Sequence, residues 1–218
     1  MFNYSHLFSK ALDDLTFSVI DTETTGMSSN FNRVIDIGIV TIEHGKITKT
    51  WEHLIDPEQD IPFWITTFTH INAKHVYGKP VFSDLQDTIM EKIKDTVIVG
   101  HNVGFDFAFL KKEFGRLNTP FDFPKLCTVL LGRKLYPELP SFNLDTLSKH
   151  FKLQIDDRHR ALPDAKATAE IFLNFVARAK EDYKCKDFFE LERLQKLKLG
   201  KKPNTKVQSE LSLYQEFD

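Results

Sequence analysis

Ser18-Val19-Ile20-Asp21-Thr22-Glu23-Thr24-Thr25-Gly26 decides how this chain is read. An apolar run, Phe17 to Ile20, stops at Asp21; Glu23 follows two residues later and Gly26 closes a turn. In a β-strand alternate side chains share a face, so Asp21 and Glu23 point the same way at the end of a buried strand. Two carboxylates side by side repel, and burying them is costly unless a cation sits between them. A divalent metal answers that need, because magnesium and manganese prefer carboxylate oxygen. A lone Asp-x-Glu is more simply a strand end with two solvated acids, so the rest of the chain must decide.

Outward from this stretch, the pattern predicts a short amphipathic helix over residues 1–15, with Leu7, Phe8, Ala11, Leu12 and Leu15 as its apolar side. Phe17–Thr22 is the first strand, Met27–Asn32 a polar loop, Arg33–Glu43 a second strand and Lys46–Ile55 a third, the last two joined by a tight turn at His44-Gly45. Turns this short imply antiparallel neighbours. Beyond a loop at Asp56–Pro62, Thr66–Val76 has helical character and Val81–Lys94 is an amphipathic helix. Thr96–Gly100 is a buried strand, followed by a helix from Val103 to Leu117. Lys125–Leu131 reads as a strand, Gly132–Pro140 as irregular and Leu144–Phe151 as a short helix. Asp164–Lys180 is a strong helix and Asp187–Leu199 a final one. A three-strand meander followed by alternating helix and strand predicts an α/β fold: one central mixed sheet with helices on both faces.

The 218 residues suit one large domain or a domain plus tail, and 41% hydrophobic with 28% charged residues is ordinary for a soluble globular chain. No apolar run approaches the ~20 residues of a membrane span, and the N-terminus lacks signal-peptide character. Cys127 and Cys185 are far apart, without metal spacing, and read as reduced thiols in a cytoplasmic protein. A net charge of −2 offers no basic field for tight duplex binding. It leaves open an enzyme that holds phosphate through bound metal ions.

Three further positions line up with the first stretch. Asp106, in His101-Asn102-Val103-Gly104-Phe105-Asp106, lies on the opening turn of a helix just past a buried strand, where open α/β sheets place their sites. Asp164 follows Pro163, which suits a first helical position, so it falls in a first turn as well. His159 precedes Asp164 by five residues, a poor same-face spacing, and belongs on the loop, leaning back toward the acid. Singly, each acid is explained by the helix dipole and the histidine by solvation. Together and in this order they resemble the DEDDh family of 3′–5′ exonucleases, which includes the proofreading (epsilon) subunit of bacterial DNA polymerase III. Val19–Gly26, His101–Leu110 and His159–Ala165 resemble its three motifs, and the histidine selects the "h" subgroup. The match covers about residues 16–178.

The resemblance implies a ribonuclease H-like fold and a metal-dependent 3′–5′ exonuclease acting on single-stranded DNA or frayed 3′ ends to release nucleoside 5′-monophosphates. Two divalent ions, magnesium with manganese substituting, neutralise the crowded anionic transition state of phosphodiester hydrolysis. Asp21, Glu23, Asp106 and Asp164 would hold them, Asp21 as the bridge. His159 would be the general base, its reference pKa of about 6.5 suiting neutral pH. Thr24, Phe68, His70 and Asn102 are candidate substrate contacts. Phe63 and Trp64 border the same pocket in relatives, and one aromatic here stacks on a base. Asp36 is expected to be hydrogen-bonded and structural. Arg158 and Arg160 either reach phosphate or are solvated.

Residues 1–180 then form the exonuclease domain, 181–199 a C-terminal helix and 200–218 a flexible tail. In that tail, Gln208, Leu211 and Leu213 resemble the short peptide by which bacterial polymerase partners dock into the sliding clamp; the plainer reading packs the tail back on the domain. Partners implied are single-stranded nucleic acid, a polymerase catalytic subunit and the clamp. Two rival functions stay open: an RNA-trimming 3′–5′ exoribonuclease, and a non-catalytic polymerase- or clamp-binding module.

Overall fold

The computed structural model describes residues 4–197. A five-stranded sheet runs in the order β3-β2-β1-β4-β5, built from β1 (Phe17–Thr24), β2 (Val34–Glu43), β3 (Lys46–Leu54), β4 (Val97–Gly100) and β5 (Lys125–Cys127). β1, β2 and β3 pair antiparallel, while β4 joins β1, and β5 joins β4, in parallel. This is the expected meander plus parallel strands. At the β2–β3 hairpin, His44 and Gly45 have φ of 50° and 69°, the pair of positive values that a two-residue type I′ turn requires.

Helices cover both faces. On one lie α6 (Thr128–Leu135), α7 (Leu144–Phe151), α8 (Ala161–Tyr183) and α9 (Phe188–Lys196), with the short α1 (Ser5–Phe8). On the other lie α4 (Phe82–Ile93) and α5 (Gly104–Arg116). The short α2 (Phe63–Thr69) and α3 (Ala73–Val76) close over Ile35 of β2 through Ile65, Ile71 and Val76. The two faces of β1 follow from parity: Phe17 and Val19 enter the core beneath α8, Ile20 the core beneath α4 and α5. Continuing the alternation, Asp21 and Glu23 face the α8 side and Thr22 the α5 side.

Gly38 explains how α8 comes so close. It pairs with Asp21 across the β1–β2 ladder. A Cβ on it would lie 2.5 Å from the carbonyl carbon of Ala161 and from the amide nitrogen of Leu162. Only a residue without a side chain lets the first turn of α8 rest on the sheet at this point, and that contact seats Asp164 beside β1.

Several elements depart from the expectation. The N-terminal segment is not one helix: after α1 comes a single 3₁₀ turn, Leu12–Asp14, and Leu12 N–H donates to Lys186 O at 2.8 Å, tying the segment to the start of α9. The helix expected over 66–76 is split at His70, whose φ of 59° ends α2, and restarts at a capping box of Asn72 with His75. The strand expected over 125–131 stops at Cys127, and the Thr-Val-Leu-Leu run that suggested it opens α6, burying Leu131 and Leu135. The edge of β5 is finished by a side chain instead: Gln195 of α9 accepts from Cys127 N at 2.9 Å and donates to Lys125 O at 3.3 Å. α8 starts at Ala161 rather than at Pro163, so the proline takes the third helical position, where a missing N–H costs nothing. Both cysteines are free and buried. Among the described residues no helix is long and apolar enough to cross a membrane. The tail positions Gln208, Leu211 and Leu213 lie outside the described residues.

Candidate active site

The C-terminal end of β1, the first turn of α5 and the first turn of α8 meet at one point. Asp21, Glu23 and Asp164 each offer a carboxylate oxygen, all within 4.8 Å of one another. Asp106 joins from α5: its Oδ1 accepts from Thr22 N at 2.9 Å and from Thr22 Oγ1 at 2.8 Å. Thr22 is thus the peg between the two acids of β1. It turns to the opposite face and grips the third acid, so that one strand segment fixes three carboxylates.

Burial shows in the protonation of all four, and crowding by one another in Asp21 and Glu23. Asp21 is pushed well above the usual carboxylate range, first by desolvation and then by the charges of Asp106, Glu23 and Asp164. Glu23 rises to about 8 through burial, with Asp164, Asp36 and Asp106 adding to it. Asp106 is raised by burial against the opposing pull of Thr22. Asp164 rises to about 6 by burial, offset in part by the guanidinium of Arg158. Asp164 Oδ1 is buried and finds no hydrogen-bond partner among the described residues. Four mutually repelling carboxylates and an orphaned buried oxygen form a donor set suited to hard divalent cations, so the residues present fit the ions that the sequence implied.

His159 stands on the loop before α8, its backbone left-handed at φ 63°. It leans on the acid through its backbone, N–H to Asp164 Oδ2 at 3.3 Å, while its ring lies against Phe68 with centroids 3.9 Å apart. Burial, then the positive charge of Arg158, holds the imidazole below its ordinary pKa. That favours the neutral ring, the form able to accept a proton. His70 is among the groups acting on His159, so Phe68 and His70, candidate substrate contacts, both lie near the histidine. Phe68 is 53% exposed, and on the same short helix Phe63 is 84% and Trp64 53% exposed, so α2 presents open aromatic faces. Thr24 is turned inward, its hydroxyl donating to Gly26 O at 2.7 Å. Asn102 is exposed on a left-handed turn between β4 and α5. His101, beside it, stays neutral with a pKa lowered to about 4 by burial, its Nδ1 lying 3.0 Å from Thr128 Oγ1.

The two arginines that flank His159 are both paired with acids. Arg160 Nε donates to Asp36 Oδ2 at 2.9 Å, and the Ala161 amide reaches the same oxygen at 3.3 Å. Asp36, 1% exposed, therefore has the structural role expected of it and anchors the N-terminus of α8 to β2. Arg158 spans Asp145, at 2.8 Å through Nε, and Asp164 through NH1. Sequence reading missed Thr22, Gly38 and Asp145. The first two had signals: a hydroxyl of opposite parity between two acids, and a glycine inside an apolar strand.

Comparison with known proteins places this geometry. The exonuclease family profile, RNase T, matches residues 18–172. The epsilon subunit of DNA polymerase III from Aquifex aeolicus is 35% identical over 184 residues, covering 84% of this chain and 91% of that one. The PolC-type DNA polymerase III of Clostridium perfringens is 36% identical over 173 residues, 79% of this chain but only 12% of that polymerase. Among solved structures, E. coli exonuclease I in complex with a dT13 oligonucleotide superposes with a TM-score of 0.69 at 19% identity, over 78% of this chain and 43% of that one. At that identity the likeness shows a shared fold, and the family rests on the profile and on the epsilon subunit. The chain belongs to the RNase T family of exonucleases and resembles, within it, the epsilon subunit of DNA polymerase III.

Proposed function

We propose that this chain removes nucleotides from the 3′ end of single-stranded DNA or frayed duplex ends, releasing nucleoside 5′-monophosphates, in proofreading or repair. The observation that carries the reading is the convergence of the Asp21, Glu23 and Asp164 carboxylates within 4.8 Å, with Asp164 Oδ1 left without a partner among the described residues. Asp21, Glu23, Asp106 and Asp164 are the residues that would hold two divalent ions, magnesium in the cell and manganese as a substitute. When bound, such ions neutralise the phosphate and lower the pKa of the attacking water.

The remaining work falls to the protein. Thr22 holds Asp106 through Oδ1 and leaves its second oxygen outside that pair of hydrogen bonds. His159, kept neutral, takes the proton from the attacking water through its ring, in line with a general base poised near the working pH. Phe68 restricts where that ring can go, and the open aromatic rim of Phe63 and Trp64 offers faces for bases. Single-stranded DNA is favoured because one solved structure of this fold, exonuclease I, holds a dT13 oligonucleotide. The epsilon relative, a subunit of DNA polymerase III, supports association with a polymerase subunit; a cytoplasmic location rests on the sequence reading. Clamp docking through Gln208, Leu211 and Leu213 rests on the sequence pattern alone.

The test is degradation of a 5′-labelled single-stranded DNA and a matched RNA with magnesium or manganese. Stepwise metal-dependent shortening of the DNA is expected. Faster loss of the RNA would move the enzyme to RNA trimming, and intact substrate with metal bound would leave only a binding module.

A further inference from the structure

Among the described residues, the four-acid cluster contains one cation of its own, Arg158. Arg158 donates from NH1 to Asp164 and from Nε to Asp145 Oδ1 at 2.8 Å. The two carboxylates differ: the Asp145 side chain is 70% exposed, that of Asp164 6%, and the guanidinium between them 28%. Its charge is felt beyond Asp164, by Asp21 and Glu23, which it favours in their ionised forms. Arg158 is therefore bonded at one end to an outer anchor that leaves the cluster untouched and at the other end to the cluster itself.

A divalent ion and a guanidinium that stabilise the same carboxylates must oppose each other. The opposition is reciprocal: whatever Arg158 contributes to the cluster is lost, in part, when ions enter. Protons compete for these acids too, and removing Arg158 would strengthen that competition. A divalent ion carries twice the charge of a proton, however, so the loss of one nearby positive charge favours the ion more than the proton. The arginine cannot lose its own charge under any working condition, so it can only move. Asp145 then decides where it goes: a guanidinium released from Asp164 stays tethered at the mouth of the site with a free fork of donors, and the anion that arrives there is the substrate phosphate.

We propose that Arg158 is an exchangeable internal cation, which holds Asp164 until divalent ions load and then, still anchored on Asp145, turns to a phosphate of the substrate. This rests on the metal-dependent reading of the site. It makes Arg158 a residue for which metal binding and nucleotide binding move in opposite directions, a result that a purely structural arginine would not give.

The experiment is calorimetric titration of manganese into the wild-type chain, Arg158→Gln, Arg158→Lys and Asp145→Asn, followed by titration of thymidine 5′-monophosphate into each manganese-loaded protein. Arg158→Gln is expected to bind manganese about tenfold tighter, within the ordinary range of coupling between sites, and the nucleotide about tenfold more weakly. Arg158→Lys keeps the charge and stays near wild type for manganese. Asp145→Asn, in which Arg158 has only the cluster to bind, loosens manganese about twofold to fivefold; its exposed position keeps the test valid should the arginine variants fold poorly. Unchanged or weaker manganese binding in Arg158→Gln overturns the proposal, as does tighter manganese binding with unchanged nucleotide affinity. Absence of manganese binding by the wild type would instead overturn the metal-site reading, and the exchange with it.

Discussion

Asp21, Glu23 and Asp106 are mounted differently from Asp164 and His159. The first three hang from β1 and α5, where ladder and helix bonds fix the backbone and Thr22 ties one acid to the strand carrying the other two. His159 sits on the loop before α8, where Asp157 and His159 both have left-handed backbone, with φ of 56° and 63°, and Asp164 follows on the first turn of α8. That loop is held from outside by side chains: Arg160 on Asp36, Arg158 on Asp145 and Asp164. One half is a rigid mount set by regular structure. The other is an adjustable arm whose position depends on ion pairs. The contrast predicts that substitutions of the rigid mount act on ion binding, and that His159 on the arm acts on proton transfer with the ions still held.

The largest effect should come from the centre of the rigid half. Asp21→Ala is expected to abolish exonuclease activity, beyond the ~10²–10⁴-fold expected of losing a proton-transfer group. It should also raise the melting temperature in EDTA, because a desolvated, repelled carboxylate is removed. Activity and stability moving in opposite directions would mark the cluster as a functional strain; a fall in both would make Asp21 a structural acid. On the adjustable arm, His159→Ala should cost about 10²–10⁴-fold in kcat and leave manganese affinity within about threefold of wild type, since the ring is not among the ligands. Equal loss of metal binding would erase the distinction between the halves.

Thr22→Val tests the peg. The shape is kept and the hydroxyl donor to Asp106 is lost, while the backbone donor remains. Metal affinity should fall about 10–100-fold, the usual cost of removing a group that orients a ligand, with little change in melting temperature.

Metal-free stability should also depend on pH with a definite sign. Glu23 is raised to about 8 and Asp164 to about 6, with Asp21 and Asp106 also raised. The folded state therefore binds more protons than the unfolded chain between the ordinary carboxylate range and about pH 8. Stability contributed by these groups is complete below the ordinary range and is lost as pH rises through the folded values. In EDTA the melting temperature should fall by a few degrees from about pH 5 to pH 8, and manganese should remove most of that slope. A flat or rising profile in EDTA would mean that the acids are not held in contact in the metal-free protein.

The same division runs through what the sequence disclosed. Asp21 and Glu23 were legible because strand parity is local, and Asp106 because it follows a short buried strand directly. The sheet order of the first three strands followed from turn length. Less was readable where the decisive contact is distant in sequence. Nothing near residue 38 says that its missing side chain admits a helix beginning at residue 161. Thr128–Leu131 looks like strand because Val and Leu suit both states, and only packing of Leu131 against α8, with Gln195 closing the edge of β5, makes it helix. The partners of Arg158 and Arg160 were likewise beyond local pattern, since each pairs with an acid on another element.

The smallest effect should be at Phe68, where the arm meets the rim. Its ring lies 3.9 Å from that of His159, centroid to centroid, at 38°, a contact worth about 0.5–1.5 kcal/mol. Burial is the first cause of the lowered His159 pKa, and Phe68 supplies part of that burial. In Phe68→Ala the imidazole regains water and its pKa should climb back toward the ordinary value near 6.5. The proton acceptor is the neutral form, so the acid limb of the kcat–pH profile should move to higher pH, with kcat at pH 7 falling only a few-fold, to about a tenth at most. If the limb stays where it is and KM rises instead, Phe68 belongs to the aromatic rim as a base-stacking surface. His159 would then owe its low pKa to Arg158 and the loop, and the arm would be set by its ion pairs alone.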